Sequence, residues 1–229
     1  MRRDVATQLE QLKNRLNGYV AMLVYRYANL CVEANPVSLL SVQVKVEDSL
    51  KNIEDVAKVA VHETYHFIVV PIFEEDLYAI GQAITKEHPE FKQEVKTFDE
   101  YNEKDPEGKY LFYTMPEVNK DRRDAMLEAI KALLDECKEK MGKAQQDCMK
   151  QLAVLQADAS PAEIEKTTEK VKEIVKHYDD LREQNHDQKK KEIEEAFALY
   201  EQKQAAKEAE DQEQQEAAGN PTQMKFEEN

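Results

Sequence analysis

Tryptophan is absent from this chain and glycine is scarce, with 5 in 229 residues. A phosphate-cradling loop needs several glycines close together, so that backbone N–H groups can approach the anion. No such cluster occurs, which excludes nucleotide-binding loops of that kind. Cysteine is nearly as rare, and Cys31, Cys137 and Cys148 form no C-x-x-C pair. Cys137 and Cys148 share a helix face about three turns apart, too far to bridge, and read as small apolar filler in a reducing compartment. No apolar run approaches the roughly 20 residues that a membrane-spanning helix needs. Positive charge is the minority: 32 Lys and Arg stand against 47 Asp and Glu, for a net charge of -15. Phosphate binding needs clustered cations, so contact with RNA is expected only through local patches. No nucleophile–base pair stands out, and neither an enzyme, a cofactor nor a small-molecule substrate is expected. The start, Met1-Arg2-Arg3-Asp4, carries no secretory apolar segment and no Arg/Ser-rich presequence. The expectation is a cytosolic protein, or an organellar one whose presequence is not in this chain.

What is present is charge, 34% of all residues, beside 41% hydrophobic ones. That balance favours long amphipathic helices over a sandwich or barrel. Val5, Leu9, Leu12, Leu16, Tyr19, Leu23 and Leu30 follow a 4-3 spacing, interrupted only at Arg26. The stripe predicts one helix over 3–33, ended by Asn35-Pro36. The period then changes. Leu40, Val42, Val44 and Val46 alternate with polar residues as a half-buried strand, and Val56–Val61 and Phe67–Ile72 read as two more. Glu74 to Glu87 reads as a short helix with Leu77, Ile80 and Ile84 inward. Residues 88–109 are polar, with a turn at Asp105-Pro106-Glu107-Gly108, and Tyr110–Tyr113 closes the sheet.

Helical spacing returns through Met126, Ile130, Leu133, Cys137, Met141, Ala144, Cys148, Leu152 and Leu155, which predicts a helix over about 118–157. Ser160-Pro161-Ala162-Glu163 is a helix start, with Ser as N-cap and Glu three residues on. Ile164, Val171, Ile174, Tyr178 and Leu181 carry the third stripe, which thins to Ile193, Phe197 and Tyr200. Over 201–229 acidic residues outnumber basic ones eight to three, and this tail reads as a solvated helix extension or an unstructured segment. Three stripes of this length are best buried against one another. The expected fold is α+β: a three-helix bundle from 1–33 and 116–200, an α/β domain inserted at 34–115, and an acidic extension at 201–229.

Two constellations invite a chemical reading. His62-Glu63-Thr64-Tyr65-His66 matches the H-E-x-x-H zinc pattern, which needs both histidines on one helix face. Here it lies between two strand-like runs, so a hairpin connection is expected and no metal. Arg122 and Arg123 fall in the first turn of the second long helix, against the helix dipole. They point either to an anionic partner or to pairing with Glu117, Asp121 or Asp124. Lys189-Lys190-Lys191 reads as plain surface.

Several segments resemble the ribosome recycling factor family, over about residues 5–200. Val118-Asn119-Lys120-Asp121-Arg122-Arg123-Asp124 resembles its L-T-E-E-R-R-K segment at the start of the second bundle helix. Asp158-Ala159-Ser160-Pro161 falls at its turn into the third helix. Ala34-Asn35-Pro36-Val37-Ser38-Leu39 resembles its A-S-P-S-L-L, and Ala79-Ile80-Gly81-Gln82-Ala83-Ile84 its A-V-E-K-A-I. The resemblance implies a non-enzymatic, two-domain translation factor that binds the ribosome and works with a translocase GTPase. It also exposes departures. The family's R-T-G-R-A reads Leu30-Cys31-Val32-Glu33-Ala34 here, and its R-N-x-R-R-D reads Gly142-Lys143-Ala144-Gln145-Gln146-Asp147. In the family those arginines help to dock the bundle on large-subunit rRNA. Arg122, Arg123, Lys138 and Lys143 are the cations left on or near that surface, and the expected ribosome- or RNA-contact residues. From this divergence we expect a matrix protein bound to a mitochondrial ribosome or its assembly intermediate, through rRNA and ribosomal or assembly proteins. A structural or assembly role is favoured, and active recycling after termination is the alternative.

Overall fold

A computed structural model describes residues 2–98 and 108–218. The chain begins with helix α1 (Arg3–Ala28) and then builds a cluster of short elements. These are strands β1 (Gln43–Val46) and β2 (Ser49–Asn52), the single turn α2 (Ile53–Val56), strands β3 (Ala57–Glu63) and β4 (His66–Pro71), helix α3 (Leu77–Glu87), and strands β5 (Lys92–Thr97) and β6 (Lys109–Thr114). Two long helices follow, α4 (Lys120–Leu155) and α5 (Pro161–Ala218). This is the expected α+β architecture, with short elements inserted between the first and second helices of a bundle.

Helices α1, α4 and α5 bury one continuous core. Leu9, Leu12, Leu16 and Leu23 of α1 meet Ile130, Cys137, Met141, Ala144 and Leu152 of α4, with Val171, Tyr178 and Ile193 of α5 closing the seam. The position that Arg26 seemed to interrupt is filled one residue later, where Tyr27 is buried and donates its hydroxyl to the Ile130 carbonyl at 3.1 Å. Tyr19 is only half-buried and Val20 takes its inward place. On α5 the buried stripe includes two cations, Arg182 and Lys189. Lys189 is therefore not plain surface: its stem is buried and its ammonium reaches Glu192 at 3.3 Å.

The inserted elements have their own core of Leu39, Val42, Val44, Ile53, Phe67, Val69, Ile80, Ile84, Leu111 and Tyr113. Strands β1 and β2 form a separate hairpin, whereas β3-β4-β6-β5 form an antiparallel sheet in that order. Helix α3 packs on the inner face through Ile80 and Ile84, while Leu77 stays half-buried.

The departures from expectation have local causes. Helix α1 stops at Ala28 instead of running to 33, because Cys31 and Ala34 belong to the second core and the Ala34 N–H donates to Thr64 O at 2.7 Å. A residue tied to a hairpin that way cannot stay helical. Leu40 is exposed, and the strand begins only at Gln43. Residues Ile53–Val56 make a helical turn and the strand starts after them. Strand β5 was hidden because Lys92-Gln93-Glu94-Val95-Lys96-Thr97 has a single apolar residue. It is an edge strand held by its backbone ladder to β6. With β5 present, β6 runs inside the sheet and does not close it. The turn expected at Asp105-Pro106-Glu107 lies outside the described residues.

The start of α5 follows its sequence signature. The Glu163 carboxylate accepts from the Ser160 N–H at 3.1 Å and from its hydroxyl at 3.0 Å, and the N–H contact holds its pKa below the usual range. Of the two readings of the tail, the helical one holds through Ala218. At 58 residues α5 is roughly 87 Å long, against roughly 54 Å for the 36 residues of α4. The last part of α5 therefore outruns the bundle core.

Candidate functional site

The four expected contact residues all start on α4, but the helix sends them in different directions. Lys138 and Lys143 are five residues apart, about 140° around the axis. Lys138 is exposed, and its side chain has no hydrogen-bond or ion-pair partner among the described residues. Lys143 faces the opposite flank and is held by Glu139 at 2.5 Å, which raises the lysine pKa and lowers that of the carboxyl. Arg123 pairs with Asp124 at 2.6 Å and lays its guanidinium 4.3 Å from the Phe197 ring centroid on α5.

Arg122 turns inward. Asn119 N-caps α4 by accepting from the Arg122 N–H at 2.9 Å, which fixes the direction of this side chain. Its guanidinium donates to the Cys31 carbonyl at 2.7 Å and to the Pro116 carbonyl. These two carbonyls lie on the two chain segments that join the bundle to the inserted elements. Burial pushes the Arg122 pKa down, opposed by the nearby Glu90 carboxylate. Neither sequence alternative described this arrangement, because Arg122 binds backbone oxygens, not an acidic side chain. Carbonyl acceptors leave no signature in a sequence.

More groups meet at the same joint. The Met115 N–H donates to the Tyr65 carbonyl at 2.8 Å, and Lys203 of the α5 extension reaches Glu117 at 2.9 Å while sitting 4.7 Å from the Tyr65 ring centroid. The Lys203 pKa is raised by that carboxylate. A cavity of about 370 Å³ opens beside the joint, lined by Tyr27, Cys31, Asn35, Asn185, Gln188 and Lys189 among others. The cysteines are free and buried, and burial raises all three thiol pKa values, so they are poor nucleophiles at neutral pH.

The H-E-x-x-H segment is a hairpin. His62 and Glu63 end β3, His66 begins β4, and Thr64-Tyr65 make the connection. His66 Nδ1 lies 3.1 Å from Glu63 Oε2, and both imidazoles pack against Phe112. Among the described residues no group of three His, Cys, Asp or Glu side chains is arranged to hold a metal.

With this geometry in hand, comparison with known proteins is decisive at the family level. The family model described as "Ribosome recycling factor" matches residues 28–193, well over half of the chain. The chain belongs to the ribosome recycling factor family. A solution structure of the ribosome recycling factor superposes with a TM-score of 0.69 at 16% identity, covering 85% of this chain and 100% of the other. A second match (TM-score 0.56, 17% identity, 82% of this chain and 98% of the other) is to a chain from models of the T. thermophilus ribosome recycling factor and E. coli elongation factor G bound to the E. coli post-termination complex. At such identities these structures show a shared fold. No curated protein sequence matches the chain.

Within the recycling-factor fold, the positions that depart from the family pattern are now located. Gly142 and Gln145 are partly exposed and Gln146 is exposed, so the bundle surface carries neutral groups there. Glu33 is exposed, whereas Leu30 packs against the bundle core. Around them the cations are compensated: Lys140 and Arg26 both pair with Glu136, and Arg15 reaches Asp147 at 3.3 Å. The basic residues on this part of the bundle mostly face acidic neighbours of the same chain.

Proposed function

We propose that this chain is a ribosome-bound protein of the recycling-factor family that serves as a structural or assembly component of a mitochondrial ribosome. One observation carries the reading. Where the family resemblance places phosphate-gripping arginines, this bundle presents Gly142, Gln145, Gln146 and Glu33, ringed by internally paired cations. Each charge-assisted contact to phosphate is worth about 1.5–3 kcal/mol, so a bundle without them docks mainly through protein surfaces. Of the expected contact residues, Lys138 is the exposed cation without an internal partner among the described residues, and it is our first candidate for contact with rRNA or an acidic protein. Lys143 and Arg123 follow if their pairs to Glu139 and Asp124 open. Arg122 acts by holding the joint. The bundle (1–33, 116–200) is the docking body, 34–115 is a domain carried on two linkers, and 201–229 is an added acidic arm.

Active recycling after termination is the second reading. It is favoured by the retained two-body architecture and by the likeness to a factor bound to a post-termination complex. Both readings describe a non-catalytic partner of the ribosome, located in the mitochondrial matrix. Density-gradient fractionation of the tagged protein from mitochondria, with mass spectrometry of the co-migrating proteins, separates them. A structural or assembly component co-migrates with a ribosomal particle at near-equal stoichiometry. A recycling factor is substoichiometric on intact ribosomes and releases subunits when added with its GTPase partner, and that result would replace the first reading.

A further inference from the structure

The sheet of the inserted domain has one face against α3 and the β1–β2 hairpin, and another that none of the described elements covers. The register places Ala60, Ile68, Phe112 and Glu94 in one row across the open face, and Tyr110 beside Lys96 in the next. His66 and Phe112 project from the two central strands, β4 and β6, and all of these central residues are partly exposed. The rings form a connected group. His66 stacks on Phe112 with centroids 5.3 Å apart, His62 meets its edge at 5.9 Å, and Phe98 lies 4.8 Å from Tyr110. Lys96 Nζ sits 3.6 Å from the Phe112 centroid, and Lys92 stands beside it, 74% exposed.

We infer that this open face binds single-stranded RNA, with bases stacking on the rings and the lysines meeting phosphates. Aromatic side chains on the central strands of an open antiparallel sheet offer π-faces that any unpaired base can use. Charge complementarity selects the partner. Among the described residues of this face, Lys58, Lys92 and Lys96 outnumber Glu63 and Glu94, in a chain whose net charge is -15. The carboxylate opposite Phe112, Glu94 on edge strand β5, is held by Lys92 at 2.9 Å and Lys96 at 3.7 Å, and those contacts lower its pKa. The Lys96 side chain, 40% exposed, covers the Phe112 ring in the free protein. A base arriving on that ring displaces the ammonium toward its own phosphate. The inference does not depend on how the bundle docks.

The test is fluorescence anisotropy of a labelled ten-nucleotide oligouridine RNA titrated with the full chain at low salt. We expect saturable binding, at least tenfold weaker binding to an RNA duplex of equal length, and a tenfold or greater loss in F112L, which keeps the apolar bulk. K96E weakens binding, E94Q tightens it, and a K13A/K166A variant of two exposed bundle lysines leaves it unchanged. Circular dichroism checks each fold, and K96E and E94Q lie on the surface and carry the test if F112L unfolds. Absence of binding, equal affinity for duplex, or sensitivity to the bundle variant alone would overturn the proposal. So would occupation of this face by a protein with no effect of F112L or K96E on RNA.

Discussion

The bundle and the inserted domain solve the burial problem with different elements. The bundle uses three long helices and tolerates polar groups in its seam: Arg182, Lys189, Thr167 and Gln156 are all buried, with Gln156 donating to the Thr167 hydroxyl at 2.9 Å. The inserted domain packs short elements around a centre of stacked rings and buries no Lys or Arg among the described residues; its buried polar groups are Ser38, Asp76 and His88, with His88 stacking on Phe91 and bonding the Ser38 carbonyl. A long helix seam spreads its energy over many turns, so a few polar positions are affordable. A small sheet core has fewer residues and depends on each ring.

The largest effect should therefore come from the smaller core. Phe67, stacked on Tyr113 at 5.2 Å and edge-on to Phe91, is 1% exposed. F67A should destabilise the inserted domain by about 3–5 kcal/mol while most helical signal persists, seen as an early loss of near-ultraviolet dichroism on urea titration. A single concerted transition would mean that the two cores stand or fall together. The next effect is at the joint. R122M removes two charge-assisted bonds and should cost about 1.5–3 kcal/mol, with increased amide exchange around Cys31 and Pro116.

Inside the bundle the contrast predicts a small change, or even a gain. Arg182 pairs with the partly exposed Asp179 and Glu183, but its Nε is buried without a partner among the described residues. R182M should change stability by no more than about 1 kcal/mol in either direction, whereas a loss of several would show that this cation holds the helices in register. The smallest effect concerns pH. Glu163, Glu136 and Glu139 have lowered folded pKa values, through the Ser160 N–H, Lys140 and Lys143 respectively. Their contribution is complete above the unfolded carboxylate pKa and disappears as pH falls through the lower folded values. Thermal melts between pH 6 and pH 3 should show this decline, and E163Q should flatten part of it.

The same contrast governs what could be read from the chain. Stripes such as Met126–Ile130–Cys137–Met141 specify a helix face many times over, so α4 was legible to within a few residues, as was the start of α5. Strand β5, with Val95 as its only apolar residue, was not, because its backbone partners are set by β6 and not by its own pattern. The site divided similarly. The neutral positions at Gly142, Gln145 and Gln146 were visible from residue identity alone. The inward turn of Arg122 toward two carbonyls, and the reach of Lys203 to Tyr65, depended on tertiary geometry that no local spacing encodes.

The claim that most needs testing is that the bundle docks without a phosphate grip. Binding of the purified protein to mitochondrial ribosomes should be followed by co-sedimentation across 50–500 mM KCl. A surface relying on five arginine–phosphate contacts gives a log–log slope of about -4, and this chain should give one shallower than about -2. Restoring charge with G142R/Q145R/Q146R should steepen it. A steep slope in the unmodified protein, with complete release at high salt, would contradict the account.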